Sequence, residues 1–171
     1  MDDSDEVLDL VDENDKVIGT ILRSRTHDLH SQGFLRAAEI FIQNSHGKLW
    51  IPRRQMHKRI VPGGLDYSSS GHIGTGETYL KGCLREVQEE LNLKLTKKDL
   101  QFVHKFKPID NLDYFRALYI YKSDKVPRYN TDDFSEYYWL TPAELLIRLK
   151  AGEPAKRSLM ETAAYLIDHK L

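Results

Sequence analysis

A single cysteine, Cys83, stands among the 171 residues, which leaves no room for an intramolecular disulfide or a four-cysteine zinc site. An excess of either charge is also missing. The 25 Lys and Arg nearly cancel the 26 Asp and Glu, for a formal net charge of −1, so no overall field exists to hold nucleic acid or an anionic membrane. No apolar run approaches the roughly 18–20 residues of a membrane helix. The start, Met1-Asp2-Asp3-Ser4-Asp5-Glu6, is acidic where a signal or transit peptide is basic. Ten glycines and six prolines are too few for a collagen-like or low-complexity chain. Neither repeats nor a linker divide the chain. With 40% apolar and 30% charged residues, it is expected to be one globular domain over residues 1–171, resident in the cytoplasm.

Strand signals dominate the first third. Val7 to Val11 and Val17 to Leu22 flank the turn formers Asp12-Glu13-Asn14-Asp15, predicting a hairpin over about residues 5–24. Residues 25–34 read as irregular. Ala37 to Ile42 and Leu49 to Ile51 are expected to pair across Asn44 to Lys48. A loop with Pro62, Gly63, Gly64 and three serines follows. Leu80, Leu84 (or Cys83), Val87 and Leu91 recur at helical steps, predicting a helix over Glu77 to Leu91. Asn92 suits its end, because asparagine tolerates the left-handed cap conformation. Further strands are expected at Leu100 to Val103, Tyr114 to Tyr121 and Tyr137 to Leu140. Thr141-Pro142-Ala143-Glu144 is a helix start with a capping box, and a last amphipathic helix is expected over Ser158 to Lys170. Mixed strands with interspersed helices point to an α/β sandwich.

The chemistry concentrates on one helix. Glu86, Glu89 and Glu90 lie three and four residues apart, so their carboxylates share a side and repel by a few tenths of a kcal/mol per pair. Arg85 offsets one of them. Hard oxygen ligands on a rigid helix suit Mg²⁺, above all when substrate phosphates complete its shell. Gly71, Gly74 and Gly76 precede them and let backbone approach an anion. Together these residues point to metal-assisted phosphoryl chemistry.

Residues 71–93 resemble the Nudix box, Gly-x5-Glu-x7-Arg-Glu-U-x-Glu-Glu-x-Gly-U with U aliphatic. Gly71, Glu77, Arg85, Glu86, Val87, Glu89, Glu90 and Leu93 match, and Asn92 stands at the second glycine. At average residue usage, the six exact identities arise by chance about once in 10⁷ starting positions. The resemblance implies an α/β/α sandwich with a mixed sheet. It also implies attack of water on the diphosphate of a nucleoside diphosphate linked to another moiety, or of a related organic diphosphate. Glu86, Glu89 and Glu90 are then the Mg²⁺ ligands, with Mn²⁺ as a substitute ion. Glu86, Glu89 and Arg85 form the catalytic set, with Glu86 a ligand or the base that deprotonates water. Glu77 and Arg85 support the box, and Gly71 and His72 lie at the substrate.

The resemblance extends to a subgroup shared with type I isopentenyl diphosphate isomerases, through Leu10 to Gly19, Arg53-Arg54 and Trp139-Leu140-Thr141-Pro142. Those enzymes carry a catalytic cysteine before the Gly-His of the loop. Here that position is Ser70, a far poorer acid–base group, and Cys83 sits in the helix as core. The expected strand histidine near Leu35 is absent, and Asp110-Asn111-Leu112 stands where a Glu-x-Glu pair is expected. The isomerase is therefore the alternative reading. A non-catalytic binding protein is a second alternative, opposed by the intact glutamates.

Arg53, Arg54 and Lys58 are candidate phosphate ligands ahead of the loop, and Glu136 is a candidate extra acid. His27 and His30 read as surface or structural, and Trp50, Tyr67, Tyr114 and Trp139 as core. The expected partner is a small-molecule diphosphate, with neither nucleic acid nor membrane, and the N-terminal hairpin offers an edge for a homodimer.

Overall fold

A computed structural model describes residues 6–29, 32–110 and 112–171. Asp5, His30 and Asn111 lie outside the described residues. No helix among those described is long and apolar enough to cross a membrane.

The hairpin forms as predicted, with β1 (Val7–Val11) antiparallel to β2 (Val17–Leu22) and a bulge at Leu10/Val11. Asp12 Oδ1 accepts from the amides of Asn14 and Lys16 at 2.8 and 2.9 Å, and Asp15 takes up a φ of 62°. The Asp15 carboxylate then accepts from Arg36, Tyr79 and Lys105 at 2.6, 3.0 and 2.7 Å, which ties the hairpin to the rest of the chain. The stretch expected to be irregular contains a 3-10 turn, Arg23–Asp28.

The larger sheet is mixed. Its strand order is β6 (Leu100–Phe106), β7 (Tyr114–Lys122), β3 (Leu35–Gln43), β4 (Leu49–Arg54), β8 (Phe134–Leu140). β3 runs parallel to β7 over its full length, and β5 (Ser69–His72) also pairs with β3, antiparallel from Ala37 to Ile40. Two sequence expectations need correction here. β3 and β4 register only at Gln43 and Leu49, because β5 takes the place beside β3 that β4 leaves as it diverges. The serine-rich loop therefore ends in a strand. Ser68 Oγ sits at the fork, donating to Trp50 O at 2.6 Å and accepting from Ile42 N at 2.8 Å.

Helices cover both faces, so β3 is buried almost throughout, as expected of a strand with no solvent face. Ala38, Ile40, Ala117 and Tyr119 pack against α1 (Tyr79–Leu91), and Phe41, Leu118 and Ile120 against α2 (Pro142–Lys150) and α3 (Leu159–Asp168). This is the expected α/β/α sandwich. The first helix starts at Tyr79, not Glu77, because Thr78 caps it and accepts from Lys81 N at 3.2 Å. Cys83, not Leu84, joins Val87 and Leu91 on its buried face. Gly82 lets α1 approach β5 closely, since a Cβ there would lie 2.4 Å from Ile73 Cδ1. Asn92 ends the helix with φ 53° and ψ 31°, its amide bonded to Gln88 O at 3.1 Å. The segment beyond adds two ties, from Asn92 Nδ2 to Arg128 O at 2.6 Å and from Asn130 N to Glu90 O at 2.7 Å. Thr141 and Glu144 form the predicted capping box.

A fully buried arginine lies beneath α3. Arg116 Nη1 donates to Glu39 Oε2 and Thr162 Oγ1 at 3.2 Å each, Nη2 donates to Glu161, and the guanidinium lies over the Phe106 ring at 4.5 Å. Tyr67 OH and Ser158 Oγ complete the chain of bonds, with Ser158 donating to Glu39 Oε1 at 3.1 Å.

Candidate active site

Residue alternation along β5 sets the site. Ser69 and Gly71 face α1 opposite Ile40 and Ala38, while Ser70 and His72 face the other layer with Glu39 and Ala37. Glu86 comes up from α1 against Gly71. A Cβ on Gly71 would meet Glu86 Oε1 and Cδ at 2.0 Å, so only glycine leaves that carboxylate its place. Glu90, one turn on, accepts from Ser70 N at 3.1 Å.

Arg85 organises the acids. Its guanidinium grips Glu77 with two bonds of 3.1 and 3.0 Å, reaches Glu86 Oε1 at 2.6 Å and Glu89 Oε2 at 3.6 Å, and donates to His72 O at 3.0 Å. Glu77, outside the helix, also accepts from Gly74 N at 2.9 Å and so closes the glycine turn. Glu6, from the start of the hairpin, approaches Arg85 at 3.9 Å.

Burial raises the carboxyl of Glu86 above its ordinary value, against the pull of Arg85. Burial likewise pushes Glu90 up to about 8, opposed by Lys156 and reinforced by Asp66 and Glu86. Burial thus disfavours the anionic form of both carboxylates, and a cation held between them would offset that. His72 is pushed down to about 3, chiefly by burial and also by Arg23 and Lys156, so its imidazole is neutral. Its ring lies edge-on to Tyr114 at 5.9 Å.

These residues fit a hard divalent cation. All are oxygen donors, the Gly71 cradle admits Glu86 and nothing bulkier, and Ser69 Oγ lies fully buried next to Glu90 without a well-aligned hydrogen bond. Glu89 is 54% exposed and, among the described residues, paired only with Arg85 at 3.6 Å. No three acidic, histidine or cysteine side chains among the described residues already converge as a complete cage, which suits an ion that keeps waters and takes substrate oxygens as ligands.

The remaining sequence candidates pair with other acids. Arg53 donates to Glu136 and Glu153 at 2.6 Å each, Arg54 to Asp66 at 2.6 Å, and Lys58 to Asp133. Glu136 is half exposed on β8 and is held by Arg53 and Tyr138, not by the three glutamates. Trp50 and Tyr67 are fully buried and Tyr114 and Trp139 partly so, while His27 is exposed. Asp110 and Leu112 lie in the turn before β7. Cys83 is buried and its thiol is pushed up to about 12 by burial. Sequence reasoning missed Asp66, Ser69 and Lys156. Lys156 Nζ donates to Ser70 Oγ at 2.6 Å and lies 3.2 Å from Asp66 Oδ2.

Replacing Gly71 with Ala is expected to leave the fold standing, because the obstructed atoms are the end of a flexible side chain. It should displace the Glu86 carboxylate and lower turnover about 10²-fold, as misplacements of an ångström do. Melting curves and steady-state rates on one preparation check both halves.

The NUDIX domain family profile matches residues 33–163. An uncharacterised Nudix hydrolase of Nostoc sp. is 45% identical over 159 residues, covering 91% of this chain and 92% of that protein. A crystal structure of a Deinococcus radiodurans protein superposes with a TM-score of 0.83 at 39% identity, covering 94% of this chain and 98% of that one. An isopentenyl-diphosphate Delta-isomerase of Photorhabdus laumondii is 32% identical over 151 residues, covering 86% of this chain and 81% of that protein. The glutamate-bearing helix, the glycine cradle beneath it and these likenesses agree: the chain belongs to the Nudix hydrolase family.

Proposed function

We propose that this protein is a cytoplasmic, Mg²⁺-dependent hydrolase that cleaves the diphosphate bond of a nucleoside diphosphate linked to another moiety, or of a related organic diphosphate. One observation carries the reading: Glu86 and Glu90, two carboxylates that burial disfavours as anions, are held against neighbouring residues of β5, Glu86 at Gly71 and Glu90 at the Ser70 amide. Such an arrangement is costly for a fold and useful to a cation.

Glu86, Glu89 and Glu90 would hold the ion. When bound, Mg²⁺ supplies Lewis-acid activation of water and neutralises charge building on the phosphoryl oxygens. Glu86, with its basicity raised by burial and its direction fixed by Arg85, is suited to take the proton from water. Arg85 also lies 3.6 Å from Glu89 and donates to His72 O, which ties the box helix to the end of β5. Neutral His72 can offer a hydrogen bond, not a positive charge.

The isomerase reading lacks its acid–base group. Ser70 Oγ accepts from Lys156, and the only thiol lies in the core. The test is phosphate release from nucleotide sugars, dinucleotides, triphosphates and prenyl diphosphates with Mg²⁺, Mn²⁺ or chelator. Turnover of at least one diphosphate should appear with Mg²⁺ and fall to background with chelator, while isopentenyl diphosphate should yield no dimethylallyl isomer. Metal-independent turnover, or isomer formation at a useful rate, overturns the assignment.

A further inference from the structure

We propose that Lys156 is a substrate-phosphate ligand, donating to a diphosphate oxygen across β5 from the glutamates. The proposal rests on the hydrolase reading above and adds a residue that lies outside the box.

Ser70 joins the two halves. Its amide donates to Glu90 Oε2 at 3.1 Å, while its hydroxyl accepts from Lys156 Nζ at 2.6 Å. One residue of a strand that pairs only with β3 thus separates the ammonium from the acid cluster. A diphosphate held at the glutamates has oxygens on more than one side, and the far side needs a cation.

The competing explanation is that Lys156 merely neutralises buried Asp66. That carboxylate is satisfied without it. Asp66 Oδ2 accepts from Arg54 Nη1 at 2.6 Å and Oδ1 from Tyr67 N at 2.7 Å. An ammonium has three donors. Lys156 directs them at Ser70 and at Asp66, 2.6 and 3.2 Å away, and has one more to give. Its side chain is 24% exposed where that of Asp66 is 2% exposed, so it reaches the surface of the site and Asp66 does not.

The backbone fixes it in advance. Lys156 N donates to Leu65 O at 3.0 Å and Leu65 N to Pro154 O at 2.8 Å, a parallel bridge between Leu65 and Ala155. Two residues on, Ser158 is fully anchored in the buried Glu39–Tyr67 network. An anchored backbone lowers the ordering cost that a long flexible side chain otherwise brings to binding. Arg53, Arg54 and Lys58 are bound more closely by acids of the chain, Arg53 by Glu136 and Glu153 at 2.6 Å, Arg54 by Asp66 at 2.6 Å and Lys58 by Asp133, where Lys156 lies 3.2 Å from Asp66.

The experiment compares wild type, Lys156→Met and Lys156→Arg. Methylenediphosphonate binding is followed by calorimetry in Mg²⁺, together with KM and kcat on the best diphosphate found. A charge-assisted hydrogen bond to phosphate predicts about 10-fold or greater weakening in Lys156→Met, with KM rising in parallel and kcat little changed. Lys156→Arg should recover most of the loss. Unchanged methylenediphosphonate affinity in Lys156→Met, with or without a fall in melting temperature, overturns the proposal and leaves the hydrolase reading standing. A wild-type protein that neither binds methylenediphosphonate nor releases phosphate overturns both.

Discussion

Glu90→Gln should lower Mg²⁺-dependent turnover by about 10³-fold, the scale of removing a metal ligand from a site that works by charge neutralisation, while leaving the protein folded. The side chain is nearly isosteric, and its amide can still meet Ser70. The fold should even gain at neutral pH. With its carboxyl pushed up to about 8 from an ordinary 4.5, Glu90 binds its proton more tightly folded than unfolded. Without a divalent ion, the contribution of Glu90 to wild-type stability is therefore fully present below pH 4.5 and is lost as pH rises towards 8, by on the order of 4 kcal/mol. Glutamine removes that slope. Mg²⁺ should raise the melting temperature of the wild type and leave that of the variant nearly unmoved. Melts at pH 5 and pH 8, with and without Mg²⁺, read all of this. A variant with wild-type turnover, or one whose stability relative to the wild type is the same at both pH values without metal, contradicts it.

Arg116→Leu should be the most damaging change to stability. The guanidinium is fully buried and pairs with Glu39, which is 3% exposed. Removing one partner of such a pair strands the other and costs about 3–5 kcal/mol, a fall of roughly 10 °C in melting temperature at this chain length. Burial already holds the Glu39 carboxyl above its ordinary value, and without Arg116 it should rise further. The variant's deficit should therefore shrink at low pH, where Glu39 takes a proton in the unfolded chain too. Adding Glu39→Gln should restore much of the loss, because the stranded charge is then gone. A deficit under about 1 kcal/mol would mean that the network contributes little.

The box helix was legible because it is long, periodic and closed by a residue able to turn left-handed. Its three glutamates are close in sequence, so their meeting needs nothing but helical spacing. β5 was not legible: Ser69-Ser70-Gly71-His72 has no apolar alternation. It is a strand because β3 needs a partner where β4 departs, and hydroxyls at the fork serve as hydrogen-bonding groups. The partners of the cations were not legible for a similar reason. Arg53, Arg54 and Lys58 stand together as a basic run, but their partners lie up to 100 residues away. Lys156 meets Ser70 across 86 residues and has no local signal to mark it. Charge read along a chain shows supply; only the fold shows which charges are already engaged.

Asn92 is a mismatch when the box is read as letters. Read as a backbone angle, it satisfies the position, with φ at 53°. It also adds what glycine lacks, an amide group that bonds Arg128 O at 2.6 Å. Glu90 stands only two residues earlier, in the last turn, where helices ordinarily fray. With its own carbonyl held by Asn130 N at 2.7 Å, that turn is stitched to the segment beyond it. Fraying is thereby suppressed at the end of the helix where the site needs a carboxylate to stay in place.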